Sequence, residues 1–434
     1  MIDSGNTAWV LVSTALVLLM TPGLAFFYGG LVRSSQVLNT IKMSFVSLGV
    51  GSVLWALLGY SLAFGSGNCL IGGFEWLGLQ GVGATPNPDY GETVPHLGFV
   101  VFQMMFAVIT PAIISGAVVG RMRFKAYTLF IALWMLVVYA PLAHWVWGPQ
   151  GWIADLGAID FAGGTVVHVS AGVAALVAAG FVGRRQQPSE GEAAHNVPLV
   201  VLGAALLWFG WFGFNAGSAL AADGIAALAV ITTMLGAAAA VATWMVLDMW
   251  HLGKPSITGA AIGAVVGLVA ITPGAGFVSP LAAVCIGALA SVASYVAIAM
   301  MRSTRVDDAL DVFACHGIGG AVGALLTGVF ATKAANPDGA DGLLTGNFDL
   351  MLAQGVSVVA AAAFAAAGTA LVLVVTRAVT PLRVDDDVEL AGIDVFEHNE
   401  RAYSPTWFEA VEATAPAPGR TASDDDLPST AYFD

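Results

Sequence analysis

The chain has 434 residues, of which 58% are hydrophobic and only 10% are charged. This composition excludes a soluble globular protein, because too few polar side chains remain to cover a surface that faces water. The formal net charge of −14 comes mainly from residues 378–434, where 13 acidic and 3 basic residues give −10, and so acidic a chain is not expected to bind nucleic acid.

Apolar segments of roughly 20 residues, the length that an α-helix needs to cross a bilayer, recur along the chain. We predict eleven, of which the eighth is the weakest because Thr272, Pro273 and Gly274 interrupt it. In chain order their approximate limits are 8–31, 43–64, 97–119, 126–146, 162–182, 198–221, 225–247, 257–272, 279–300, 312–331 and 350–376. The sequence therefore predicts an all-α, multi-pass protein of the lipid bilayer, with a transmembrane domain over residues 1–377 and an acidic tail over 378–434.

The basic residues predict the orientation, because loops that stay in the cytoplasm are enriched in Lys and Arg. With these spans, 14 of the 15 basic residues lie on one side and only Lys333 lies on the other. The amino terminus is therefore expected outside the cell and the tail inside. No basic region precedes the first span, which favours a retained helix over a cleaved signal peptide.

The acidic surface has two interpretations. Only four lysines occur in the chain, and a lysine-poor, acidic protein is typical of a halophile, because dense carboxylates keep a surface hydrated in high salt. The alternative is an acidic tail that is disordered, which we predict after about residue 403.

Only two histidines lie deep within predicted spans, His168 in the fifth and His316 in the tenth. A repeat of five helices must insert its second copy upside down, so we predict inverted halves at about 8–182 and 198–331, with the helix at 350–376 outside the symmetry. Ionisable residues inside a membrane usually serve a function, and we predict that His168 and His316 both line a pore. The remaining five fall in loops, at span ends or in the tail, where most are expected to be solvated: His96, His144, His195, His251 and His398.

A metal site is the competing interpretation of these histidines. Zinc needs three or four protein ligands, whereas Cys69, Cys285 and Cys315 are scattered and form no CxxC motif. We therefore expect neither a metal nor another cofactor.

Aromatic residues cluster near the predicted outer face. Trp147 precedes the fifth span, and Phe102, Phe106, Phe214 and Ser218 lie on spans that run to or from the same face. An aromatic ring attracts a cation by about 2 kcal/mol or more when water is excluded, so this end can collect a cation.

Two aspartates open histidine-bearing spans. Asp160 begins the fifth and Asp311 begins the tenth, and both are predicted to cap a helix. We expect Asp160, in addition, to place a negative field near the outer aromatic residues.

Seven motifs in this order make the chain resemble the ammonium transporter family, which includes Amt, Mep and Rh proteins. The resemblance runs from about Thr7 to Tyr403. It is carried by PGLAFFYGGLVR (22–33), FQMMFAVITPAIISGA (102–117), HWVWGPQGW (144–152), DFAGGTVVHVSAG (160–172), WFGFNAGSA (211–219), GKPS (253–256) and RVDDALDVFACHGIGG (305–320).

The resemblance implies eleven helices in a homotrimer, with one pore in each protomer, and ammonium, ammonia and methylammonium as substrates. It assigns Trp147, Phe106 and Ser218 to an outer ammonium site that Asp160 supports without direct contact. It further assigns Phe106 and Phe214 to a gate and places Trp211 in the pore with the pair His168 and His316.

The tail segment GIDVFEHNERAY, 392–403, resembles the cytoplasmic signature through which such proteins couple to PII-type nitrogen-regulatory proteins. Asn399 stands where a glycine is usual. The residues that the resemblance assigns to this regulatory segment are Gly392, Asp394, His398, Glu400 and Tyr403.

The expected mechanism is that ammonium binds outside, loses its proton and passes as neutral ammonia between the histidines. Whether the proton also crosses, through the histidine pair, is left open by the sequence. One alternative is an ammonium sensor of the same fold that transports little. Another is passage of a different small neutral solute, which the cation-binding outer site disfavours. An enzyme is the remote choice, because no nucleophile paired with a base and no phosphate-binding loop is visible.

Overall fold

The computed structural model describes residues 1–186 and 194–403. Within these ranges the regular structure is helical, as predicted, and ten helices are long and apolar enough to cross a membrane. In chain order the helices are α1 (Ser4–Leu31), α2 (Ser34–Phe64), α3 (His96–Val118), α4 (Phe124–Asp155), α5 (Gly164–Val182), α6 (Val197–Ala219), α7 (Gly224–Leu252), α8 (Ile257–Ile271), α9 (Pro280–Met301), α10 (Phe313–Phe330), α11 (Phe348–Val379), and the short α12 (Asp386–Ala391) and α13 (Ile393–His398).

Helix α8 lies where the weak eighth span is predicted. It has 15 residues, or about 22 Å at 1.5 Å per residue, which is less than the ~30 Å of a bilayer core. Ten predicted spans therefore occur at full length, and the eighth is present as a shorter apolar helix. The predicted disordered segment after residue 403 lies outside the described residues.

Both histidine-bearing helices begin with wide π-helical turns. Six residues of α5, Gly164–Val169, and six of α10, Phe313–Ile318, adopt this geometry, and each stretch contains the histidine of its helix. A π-turn widens the helix locally and occurs frequently at functional sites. Shorter π-helical stretches also occur in α2, at Trp55–Gly59, and in α4, at Met135–Tyr139.

Glycines allow α5 and α10 to touch. A Cβ atom added to Gly172 of α5 would lie 2.1 Å from the backbone nitrogen of Gly317 in α10, a distance at which no side chain fits. Small residues commonly permit such close backbone contacts between membrane helices. This contact lies one turn from His168 and next to His316, so it fixes the two histidines relative to each other.

The beginning of the tail packs against the bundle through α12 and α13. Helix α13 contacts the start of the α-helical part of α2, which begins at Val37. The Asp394 carboxylate of α13 accepts hydrogen bonds from the backbone nitrogens of Leu38 and Asn39, at 2.9 and 2.8 Å. The first backbone N–H groups of a helix have no partner within the helix, so a carboxylate that accepts hydrogen bonds from them acts as a cap. The tail is therefore packed on the bundle at least as far as Tyr403, the last described residue.

Candidate functional site

His168 and His316 face each other in the centre of the bundle. Both are buried, with 1% and 4% of their surface exposed, and their Nδ1 atoms lie 3.2 Å apart. The His168 ring is also stacked on Trp211 at a centroid distance of 5.4 Å. The two helices of the predicted inverted halves thus bring both predicted pore histidines to one point.

The contact between the two Nδ1 atoms restricts their protons. Only one hydrogen fits between the two nitrogens, so one Nδ1 donates and the other accepts, and the rings are not both charged in this arrangement. The Nε2 atom of His168 is buried and has no hydrogen-bond partner among the described residues. The pair therefore leaves one ring nitrogen able to bind a small polar molecule.

A small cavity adjoins the histidine pair. Its volume is about 10 Å³, close to the minimum of about 10–15 Å³ that one water molecule needs. Apart from the two imidazoles and the Trp211 nitrogen, which donates to Thr272 Oγ1 at 2.9 Å, the lining is apolar: Met20, Leu24, Ile109, Ile113, Leu207, Phe214 and Val265. Such a space accommodates one small molecule and offers a hydrated ion no replacement for its water.

Two phenylalanines separate this cavity from the outer face. The rings of Phe106 and Phe214 lie 4.3 Å apart between centroids, and both residues are buried. Phe106 also lines the outer cavity, and Phe214 lines the histidine cavity. The predicted gate pair therefore lies closed between the two spaces.

The residues assigned to the outer site border a cavity of about 240 Å³. The Trp147 ring lies 6.1 Å from Phe106, and its indole nitrogen donates to the Asp160 carbonyl at 2.9 Å. Ser218 Oγ donates to the Phe214 carbonyl at 2.8 Å, which leaves the serine oxygen free to accept. The predicted outer residues are thus assembled around one space, and two further lining residues, Asp89 and Gln103, were not singled out from the sequence.

Asp160 lies behind this cavity as a helix cap. Its carboxylate accepts from the backbone nitrogens of Gly163, Gly164 and Thr165 at 2.7–2.8 Å. Gly163 has a φ of 114°, a conformation that glycine adopts without strain. The sequence prediction of a cap at Asp160 is therefore confirmed, and the same carboxylate holds the first turn of the helix that carries His168.

At the start of α10 the predicted cap is wrong. Asp311 has a left-handed backbone, with a φ of 55°, and the backbone nitrogen of Phe313 donates instead to Asp308 Oδ2 at 2.7 Å. A residue that caps a helix start typically has an extended backbone, which Asp311 does not have. Asp311 lines an inner cavity of about 280 Å³, which also reaches His316.

The three aspartates before α10 have pKa values that their surroundings shift in different directions. Burial acts to raise the pKa of Asp307, but the hydrogen bonds from Arg185 outweigh it and lower the pKa to about 2. Burial raises the pKa of Asp308 to about 6. Burial, together with the charge of Asp308, raises the pKa of Asp311 to about 7. The cavity next to His316 therefore contains a carboxyl group with a pKa near neutral pH.

Four of the residues that the resemblance assigns to regulation contact α2 or the loop before α6. Besides the cap made by Asp394, His398 Nε2 lies 2.9 Å from Asn39 Oδ1 and Glu400 pairs with Lys42 at 3.3 Å. Tyr403 lies 2.8 Å from His195 Nε2. Gly392 and Asn399 both have positive φ, 109° and 53°, so Asn399 adopts the left-handed turn that a glycine would make.

Two of the histidines expected to be solvated are buried instead. His144 is fully buried, and its ring nitrogens lie 2.9 Å from the Ala63 carbonyl and 2.7 Å from the Asn68 carbonyl. His96 is 4% exposed and contacts the Tyr60 hydroxyl. Both lie at span ends that the loop over residues 65–95 covers, and this cover is not visible in a hydropathy pattern.

In the described ranges, ten helices are long and apolar enough to cross a membrane, and two histidines line a small buried cavity between them, as is typical of multi-pass membrane proteins of the channel and transporter class. Residues 8–403 match a sequence model of the family described as "Ammonium Transporter Family". The chain belongs to this family.

Named relatives agree with that assignment. The ammonium transporter of Bacillus subtilis (strain 168) is 48% identical over 400 residues, which cover 92% of this chain and 98% of that protein. The crystal structure of Saccharomyces cerevisiae Mep2 superposes with a TM-score of 0.83 at 36% identity, covering 89% of this chain and 88% of that one. A solved "Sensor Amt Protein" superposes with a TM-score of 0.83 at 29% identity, covering 91% of this chain and 98% of that one.

Proposed function

We propose that this protein moves ammonium across the cell membrane as ammonia. Ammonium binds between Trp147, Phe106 and Ser218, loses its proton, and passes as NH₃ through the Phe106 and Phe214 gate to the histidine pair. The observation that carries the proposal is the pair itself: two buried imidazoles, 3.2 Å apart between Nδ1 atoms, beside a cavity of about 10 Å³.

Energetics favour the neutral species. Carrying a bare cation through hydrocarbon costs on the order of tens of kcal/mol. An alkylammonium has a pKa of about 10.4, and lowering it by about three units costs only about 4 kcal/mol. The cation therefore loses its proton at the outer site, and the imidazoles supply the donor and acceptor that ammonia needs inside.

The proton has a route of its own. The hydrogen bond between His168 and His316 joins the small cavity next to the Phe106 and Phe214 gate to the larger cavity that Asp311 lines. Transfer along this pair would make transport electrogenic, and the release of the proton outside would make it neutral. Electrical recording separates the two.

A sensor of the same fold is the second candidate. It is favoured by the likeness to a "Sensor Amt Protein" and by the docked tail segment, which contacts α2 through Asp394 and His398 and the loop before α6 through Tyr403. In this case ammonium binding would alter the tail and little substrate would cross. An intact histidine pair supports transport instead, and the outer cation site disfavours a neutral solute as the substrate.

The test is electrical recording and methylammonium uptake with purified protein in sealed vesicles. We expect methylammonium uptake by the native protein and at least a tenfold loss of uptake in His168→Ala, with an ammonium-dependent current in addition if the proton crosses through the histidine pair. His251→Ala is the matched control, because His251 is exposed at the end of α7 and far from the passage. A native protein that gives neither current nor uptake would favour the sensor.

The architecture that we propose around this function is eleven spans in two inverted halves of five, with α11 outside the symmetry, assembled as a homotrimer. The meeting of His168 from the fifth span with His316 from the tenth at one point in the bundle supports the inverted halves. Exposed apolar side chains along α7 and α9 suit a protomer interface or lipid. Native mass spectrometry in detergent, with an expected mass three times that of one chain, tests the trimer.

The amino terminus lies outside and the tail inside, as the basic residues indicate. The tail segment from Gly392 to Tyr403 is then available to a PII-type regulatory protein on the cytoplasmic face. Its support is the docked geometry of α13 and the left-handed turn at Asn399.

A further inference from the structure

The outer cavity extends beyond the residues of the proposed ammonium site. Its lining includes a carboxylate, Asp89, and an amide, Gln103, together with Phe64, Tyr90, Phe99, Phe106, Trp147, Phe161, Ser218 and Leu220. Neither Lys nor Arg occurs in this lining. The entrance thus offers a cation one formal negative charge and no opposing positive charge.

Asp89 is held in place by the residue that follows it. Tyr90 is buried, stacks on Phe99 at a centroid distance of 5.1 Å, and donates its hydroxyl hydrogen to the Phe64 carbonyl. The Asp89 backbone nitrogen donates to Asn87 Oδ1 at 3.1 Å, which closes the turn before it. The backbone that carries the exposed Asp89 side chain is consequently held at the wall of the cavity by a buried anchor.

Gln103 faces the same space from helix α3. Phe99, Gln103 and Phe106 follow one another at intervals of four and three residues, so they share one face of the helix, and all three line the cavity. The Gln103 Oε1 atom is buried and has no partner among the described residues. A buried acceptor without a partner is costly unless a ligand or water supplies a hydrogen.

Ammonium matches this set of groups. It carries one positive charge and four N–H donors, whereas the ring faces of Trp147 and Phe106 supply no acceptor oxygen. Ser218 supplies one, because its own hydrogen goes to the Phe214 carbonyl. Further oxygens are needed while the ion is losing its water, and a charge in a concave cavity also concentrates cations there.

We propose that Asp89 and Gln103 form a second, more external cation subsite that captures ammonium and passes it to the Trp147 site. This inference rests on the proposed function for its substrate. It assigns to Asp89 the electrostatic capture of the ion and to Gln103 an acceptor for one of its N–H groups. Neither residue takes part in the loss of the proton.

The first test compares Asp89→Asn with Glu92→Gln in vesicles. Glu92 is an exposed carboxylate of the same loop that does not line the cavity. We expect Asp89→Asn to raise the half-saturating ammonium concentration about two- to fivefold at low ionic strength, the range for an exposed charge interaction, with the maximal rate unchanged. In high N-methylglucamine chloride the difference shrinks. Equal behaviour of the two variants, or a lower maximal rate without a shift in concentration, overturns the subsite.

The second test locates the cation directly with thallium(I), a monovalent ion similar in size to ammonium. Crystals of the native protein soaked in thallium(I) are expected to give anomalous density between Asp89 and Gln103, and crystals of Asp89→Asn to lack it. Density only at Trp147 and Ser218 overturns the subsite even if the protein transports. Density at Asp89 in a protein that moves no ammonium keeps the subsite and rejects the proposed transport.

Discussion

Asp311 combines an unusual backbone with an unusual carboxyl group. Its φ is 55°, it lines the inner cavity, and burial next to Asp308 raises its pKa to about 7. The charged groups around it are Asp307, Asp308, Arg185 and Arg302. One side chain thus couples the stability of the inner end to pH.

The sign of this coupling follows from the two protonation states. The unfolded chain loses the Asp311 proton near pH 4 and the folded chain near pH 7. Between these values the folded protein holds the extra proton, so its stability falls as the pH rises, and the whole penalty is present above pH 7.

Asp311→Asn removes this penalty. Asparagine stays neutral and tolerates the left-handed conformation. We expect the variant to be more stable than the native protein by about 1–2 kcal/mol at pH 8, after allowance for water in the cavity, and equal to it at pH 4. Thermal unfolding in detergent at both pH values measures this, with Asp387→Asn, an exposed change in the tail, as the control. A gain that does not depend on pH would contradict the assignment.

At the scale of helices, the contact between α5 and α10 determines the geometry of the histidine pair. Gly172 and Gly317 touch through their backbones. A Cβ atom added to Gly320 of α10 would lie 3.0 Å from the Cβ atom of His168. A side chain in this contact would separate the helices and widen the distance between the imidazoles. The contact therefore links packing directly to the passage.

Gly172→Ala is expected to destabilise the protein by about 1–3 kcal/mol and to reduce ammonium uptake strongly, because its methyl group meets the Gly317 backbone. Gly180→Ala is the matched control in the same helix, since no atom lies within 4 Å of an added Cβ there. Melting temperature and uptake of the two variants are compared. Normal uptake by Gly172→Ala would show that the passage does not depend on this contact.

At the scale of the whole molecule, orientation decides which cavity receives the substrate. Cys69 is exposed in the loop between α2 and α3, on the side that the basic residues predict to be outside. A membrane-impermeant maleimide added to intact cells is therefore expected to label the native protein and not Cys69→Ser. Labelling of Cys69 only after permeabilisation would reverse the orientation and exchange the two cavities.

Hydropathy predicted the long helices well, because a bilayer selects for length and apolar character that a sequence displays directly. The positions of Trp147, Phe106, Phe214 and the two histidines followed from motifs, and the structure brings these residues together. Other features depended on tertiary contacts. The burial of His144 depends on carbonyls of a covering loop, and the exchange of capping roles between Asp311 and Asp308 depends on one backbone angle.

The loop before α3 illustrates the same limit. Asp89 is one of many exposed carboxylates in the sequence, and Gln103 is one polar residue in an apolar helix. Only the fold shows that both face the cavity that Trp147 lines. The π-turns of α5 and α10 were also missed, because they arise from packing and leave no periodic signal in the sequence.

The single hydrogen bond between His168 and His316 limits how charge can move through the pair. If one proton enters at the far nitrogen of the first ring, the shared hydrogen shifts to the second ring, whose far nitrogen then releases its own. Afterwards both imidazoles hold the opposite tautomer, and a second proton from the same side finds the entry nitrogen already occupied. The rings must rotate or exchange hydrogens before the next transfer, so any proton current through this pair would proceed one proton at a time, with a recovery step after each transfer.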